Sequence, residues 1–310
     1  MVKLNFRGFG IILIVLLALS NFCGYPQEES KSPVELKGAG GLGLTVEPGG
    51  FILQNLVPGK RVDIFETTGL ALVIYNRSDS YHTYTIKGGK PEEVGIEGWL
   101  KGYEPIPESS WFKLEQEQVR IPPQSKAYVK MYLEIPEEEK FYNQKWVVGL
   151  SVAGVPEPGE KLVLSAHPSY YLETLGKDGL KEKPFGRLGL EPGVLSIEKV
   201  GLGVNKKVGK IKIYNNDSEK HTYNIYSHIP KEVSGDRITS SQGYIWIKNE
   251  EWLKPSWGKV TIQGNSSKEL EVDLVIPNED ELKGKNWEGL IFVEDDKGKA
   301  NFCRVLFRVE

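Results

Sequence analysis

The chain has 310 residues, 39% hydrophobic and 26% charged, with a formal net charge of −3. This is the composition of a soluble protein that can pack a core, and the length suits two domains. Lysine and arginine occur singly or in the pairs Lys60-Arg61 and Lys206-Lys207, with no longer basic run to neutralise a row of phosphates, which argues against nucleic acid as a partner.

In chain order, the opening carries Lys3 and Arg7 ahead of an unbroken apolar run, Ile11 to Leu19. Ala18 and Ser20 place small residues at −3 and −1 of a cleavage point before Asn21. Residues 1–20 therefore read as a secretory signal peptide, with an uncleaved N-terminal anchor as the alternative; the run is short for a bilayer span. Cys23 stands where a bacterial lipoprotein carries its acylated cysteine, although the bulky Phe22 precedes it. Lipidation there would give a membrane anchor followed by a polar tether, residues 21–41. The other cysteine, Cys303, alternates with Val305, Phe307 and Val309 on one strand face, the pattern of a small buried thiol. Neither half of the chain has a cysteine pair of its own, so neither is stapled by a disulfide.

Two related segments follow, 42–174 and 187–310, separated by the Gly/Lys/Pro-rich stretch 175–186. "IYNRSDSYHTYTI" begins at Ile74 and "IYNNDSEKHTYNI" at Ile213. Gly102-Tyr103 and Trp111 recur as Gly243-Tyr244 and Trp252. Ile135-Pro136 and Trp146 recur as Ile276-Pro277 and Trp287 with the same spacing. A repeat this long is a domain with its own core, not a solenoid unit. Inside each copy the period is two: Val129, Met131, Leu133 and Ile135 in the first, Leu270, Val272, Leu274 and Ile276 in the second. Alternating side chains point to opposite faces of a strand, and Gly, Pro and Asn clusters supply the turns. No amphipathic helix of useful length interrupts the pattern. The expected fold is all-β: two tandem immunoglobulin-like β-sandwich domains.

The residues Ile74-Tyr75-Asn76, Trp111, Val119, Ile121, Ile135-Pro136, Trp146 and Gly149-Leu150, with their counterparts in the second copy, carry a resemblance. The pattern resembles Ig-like domains of bacterial surface proteins and is similar to the PapD-like, peptidoglycan-binding domain of WxL-interacting proteins. The resemblance covers most of both copies. It implies the sandwich and a cell-wall ligand; members of that family anchor through a C-terminal transmembrane helix, which the ending "FRVE" does not match.

Signatures of catalysis are missing. There is no Gly-x-Ser-x-Gly, His-Glu-x-x-His or Cys-x-x-Cys, and no phosphate-cradling loop runs from a strand into a helix. His82 and His221 are repeated, but each copy offers one histidine with no second ligand at metal spacing, so both read as strand-start packing residues. The acidic loops at Glu137–Glu139 and Asn278–Glu281 lack an Asp-x-Asp-x-Asp-Gly pattern and read as solvated turns. No catalytic residue, metal or cofactor is expected. The candidate binding residues are aromatic: Tyr128 and Tyr132 on the outer face of the first copy, where the second has Glu269 and Asp273, with Tyr103, Trp99 and Tyr142 in nearby loops. The competing expectation is that this face packs against the second copy.

The expected protein is exported, to the periplasm, cell surface or exterior, and binds or scaffolds a cell-surface protein or polysaccharide without catalysis. Membrane contact would come only through the N-terminus. Two alternatives stand beside it. A periplasmic chaperone-like assembly protein would present an apolar strand edge; a carbohydrate-active enzyme would need two carboxylates converging in a cleft.

Overall fold

The computed structural model describes residues 13–15, 43–156, 163–230 and 237–310. The leader apart from Leu13–Val15, the tether and Cys23 lie outside the described residues. The alternating segments form two copies of one all-β sandwich. The wide sheet of the first domain runs, in spatial order, Gly50–Leu56, Ser169–Thr174, Lys145–Gly154, His82–Gly89, Gln118–Ile121. That of the second runs Val194–Val200, Ala300–Val309, Asn286–Asp295, His221–His228, Lys259–Ile262. The facing sheet of the second domain is Leu188–Glu191, Asn205–Asn215, Ser266–Val275, Leu253–Pro255.

The first domain departs on its facing side, which is two three-stranded sheets, Ser125–Val129, Leu72–Asn76, Leu44–Glu47 and Arg61–Asp63, Met131–Glu134, Phe112–Leu114. Where the second has the single strand Asn205–Asn215, the first has Arg61–Asp63, a short helix Ile64–Thr68, and Leu72–Asn76. The helix starts because the Asp63 carboxylate accepts from the Glu66 amide at 3.1 Å, and stops at Gly69, whose φ of 73° suits glycine.

Each core fills with the side chains the period put on one face. Leu53, Ile74, Met131 and Trp146 are buried in the first, Ile213, Val272, Trp287 and Val305 in the second. The repeated tryptophans meet edge to face, Trp111 on Trp146 at 5.6 Å and Trp252 on Trp287 at 5.2 Å. Cys303 is fully buried, and burial pushes its thiol up to about 12.

The repeated Tyr-Asn…His-Thr-Tyr is a turn clamp, and its working residue is the asparagine. The buried Asn76 amide donates to the carbonyls of Ser80, Ile121 and Pro122. Asn215 donates in the same way to Glu219, Ile262 and Gln263. Each therefore ties its own turn to the end of the neighbouring strand and gives three carbonyls a donor.

The outer faces of the two wide sheets meet. Tyr103 and Val147 from the first domain pack with Leu290, Phe292 and Phe302 from the second. Within this apolar layer Arg304 is 1% exposed. Its Nε and Nη2 donate to the two oxygens of Glu173, each at 2.6 Å, and Nη1 donates to Glu288 and to the Thr239 carbonyl. Burial works to raise the Glu173 carboxyl, but the guanidinium outweighs it and holds the group below the usual carboxylate range. At Glu288 burial prevails and the group is raised. Burial also lowers the Lys145 amine to about 8, where it sits 4.5 Å from the Phe302 ring centre.

Candidate functional site

Two surfaces of the first domain stand out. The first is a strand edge. Gly50–Leu56 reads GFILQNL, with no charged residue. Phe51, Leu53 and Leu56 enter the core, while Ile52 and Gln54, on the opposite face, are also buried. Its inner edge pairs in parallel with Ser169–Thr174. Among the described residues its outer edge is met by Leu13–Val15 of the N-terminal apolar run, antiparallel, with Ile14 opposite Leu53. The corresponding strand of the second domain, Val194–Val200, is built differently. It reads VLSIEKV; Ser196, Glu198 and Lys199 are exposed, and Lys199 pairs with Glu310 at 2.7 Å. Charges on an edge strand discourage pairing with another chain, so the second edge is blunted and the first is not.

The second surface is the outer face of the facing sheet in the first domain. Tyr128 is 55% exposed there, with Tyr75 and Tyr132 half-buried beside it. Cations lie over the rings: Lys126 at 5.1 Å from Tyr128 and 5.5 Å from Tyr75, Arg77 at 5.0 Å from Tyr75, Arg61 at 4.7 Å from Tyr132. Such contacts pin the rings upright and keep their faces partly available. On the second domain the same face is a ladder of ion pairs, Lys210 with Glu269 at 2.9 Å and Lys207 with Glu271 at 2.5 Å.

The remaining aromatic candidates do not join this face. Tyr103 is 4% exposed, its ring edge-on to Tyr171 and Phe302 and its hydroxyl donated to Glu173 at 2.5 Å. That corrects its expected role as a loop residue open to a ligand: it belongs to the domain interface. Trp99 is 37% exposed at the rim of that interface, its indole donating to the Tyr103 carbonyl at 3.0 Å. Tyr142 is half-buried beneath Lys177 beside the linker. Tyr75, Arg61, Arg77 and Lys126 belong to the face and were not singled out from sequence, although Tyr75 sits at an outward position of the repeated Ile-Tyr-Asn.

Near the domain interface a cavity of about 280 Å³ is lined by Gln54, Glu173, Ser241, Tyr244 and Arg304 among others. Of the two carboxylates on the Arg304 guanidinium, Glu173 lines the cavity and the fully buried Glu288 does not, and both are spent as ion-pair partners.

No family model and no curated protein matches the chain. Among solved structures it is similar to a protein from Porphyromonas gingivalis W83, with 15% identity, a TM-score of 0.32, and coverage of 86% of this chain and 99% of that one. It is similar to PapD-like domain 7 of human CEP192, with 8% identity, a TM-score of 0.34, and coverage of 51% and 99%. It is also similar to the E. coli chaperone DraB, with 12% identity, a TM-score of 0.28, and coverage of 84% and 97%. At these identities and TM-scores the likeness assigns neither a family nor a role to this chain.

Proposed function

We propose that the chain is an exported, non-catalytic assembly protein that holds an extended segment of a protein partner by strand addition at Gly50–Leu56. The observation that carries this reading is that edge: seven residues without a charge, met on the outside, among the described residues, by Leu13–Val15 alone. Removal of the leader, which the signal-peptide pattern predicts, opens it. Strand addition draws its affinity from main-chain hydrogen bonds and so tolerates varied partner sequences. The blunted Val194–Val200 edge would direct a partner to the first domain.

Incorporation of a photo-crosslinking amino acid in cells tests this. Gly49, just ahead of the edge, has no atom within 4 Å of an added Cβ and accepts the probe. Protein adducts at Gly49, absent from a matching probe at Glu198, are the expected result. Adducts of equal yield at both positions, or none at Gly49, would remove the proposal.

The exposed Tyr128, with Tyr75 and Tyr132, favours a second reading, in which that face binds a polysaccharide or protein at the cell surface. Peptidoglycan, the ligand implied by the resemblance to WxL-interacting proteins, is the probe for it. Pull-down by peptidoglycan that is lost on replacing Tyr128 and Tyr132 with alanine would support this second reading.

A further inference from the structure

The repeated histidines have different surroundings. His82 Nε2 lies 3.1 Å from the Ser80 hydroxyl. His221, 2% exposed, places Nε2 at 2.9 Å from Asp217 Oδ2 and Nδ1 at 2.9 Å from Asp296 Oδ1. A carboxylate only accepts, so both ring nitrogens carry protons in this arrangement. Asp295, 3% exposed, stands directly opposite Tyr223 in the ladder and shares the face of His221 and Tyr223. One ligand atom each from His221, Asp295 and Asp296 lies within 4.8 Å of the others. The first domain has none of these carboxylates: with Trp146 and Trp287 aligned, Gly154 and Val155 replace the pair, and with Asn76 and Asn215 aligned, Ser78 replaces Asp217.

A second observation points into the same place. Tyr223 is fully buried, and its hydroxyl has no hydrogen-bond partner. The Nε of Arg187, whose Nη2 pairs with Asp295, is likewise buried and without a partner. Lys297 is the other cation near the ring.

The geometry points to a divalent-cation site in the second domain, of the Zn²⁺ class, with His221 Nδ1 and the carboxylates of Asp295 and Asp296 as ligands. Ligand atoms about 2.1 Å from a tetrahedral ion stand about 3.4 Å apart, a spacing this group reaches by small side-chain rotations. Asp217 takes the second role such sites need: by accepting Nε2–H it fixes the tautomer that turns the Nδ1 lone pair toward the ion. The ion replaces the Nδ1 proton, which leaves to solvent, so binding weakens as pH falls. Asp295 keeps Arg187 and the Lys297 and Lys299 amides on its remaining lone pairs. The ion would join the turn after Asn215 to the hairpin at Asp295–Lys299.

Isothermal titration of the metal-free full chain with ZnCl₂, beside MnCl₂ and CaCl₂, tests the site. The expected result is one Zn²⁺ per chain. Asp217→Asn should lose about 10–100-fold in affinity. Asp296→Asn, at an exposed position that does not put folding at risk, and His221→Gln should abolish saturable binding, while His82→Gln leaves it unchanged. Absence of saturable Zn²⁺ binding, or binding that survives Asp296→Asn, overturns the inference.

Discussion

Gly50–Leu56 and Val194–Val200 hold the same place in two sheets of the same order, yet one is apolar along its length and the other carries Glu198 and Lys199. The facing sheets repeat the contrast: tyrosines under cations on the first domain, lysine–glutamate pairs on the second. Cores and turn clamps have been kept alike while the uncovered surfaces have diverged. The difference separates what duplication preserves for folding from what one copy alone uses. On the proposed reading, partner contacts fall on the first domain and the second serves as support, with a histidine–carboxylate cluster of its own.

The largest expected effect concerns the seam that makes one body of the two domains. Arg304→Ala strands Glu173 and Glu288 without their cation, a change that costs about 3–5 kcal/mol for a buried pair. Urea denaturation would measure it, and a loss under about 1 kcal/mol would mean the seam is not a shared element. The claim that the copies share their scaffold is sharpened by a matched pair. Asn76→Ala and Asn215→Ala should each cost about 2–3 kcal/mol, since buried carbonyls lose their donors. Unequal losses would break the equivalence of the two clamps.

A smaller effect separates the two histidines. Bonds to Asp296 and Asp217 raise the pKa of His221 above its ordinary 6.5. The stability it contributes is complete below that ordinary value and is lost as pH rises through the raised one. His221 in turn holds the Asp217 carboxyl down to about 2, a contribution present above the ordinary 3.8 and lost as pH falls toward 2. In metal-free buffer, melting temperature should therefore fall from pH 6 to pH 9 in the native chain. That fall should flatten in His221→Gln and persist in His82→Gln. The smallest effect belongs to the exposed face: Tyr128→Ala should change stability by no more than about 0.5 kcal/mol. A larger loss would mean that this ring is structural, as its counterparts in the core are.

Much of the fold could be read because strand faces are written locally. Val129 to Ile135 alternate, and so does Leu270 to Ile276, and the repeated tryptophans mark the core that both stretches enter. The surfaces were harder, because pairing and apposition join residues distant in sequence. Gly50–Leu56 is an edge only because Ser169–Thr174 returns to lie beside it. Tyr103 looked like a loop aromatic until Phe302 and Glu173 closed over it. His221 looks solitary in the sequence because Asp296 arrives from 75 residues away. Metal-motif spacing detects ligands on one helix or one turn, and a sheet assembles them across strands.

The clasp of Arg304 on Glu173 also has a mechanical meaning. Tandem sandwiches on a loose joint can swing like calipers, and a load on one is absorbed at the hinge. Here the Arg304–Glu173 pair lies across the joint, so a swing of one sandwich against the other would have to part a buried ion pair.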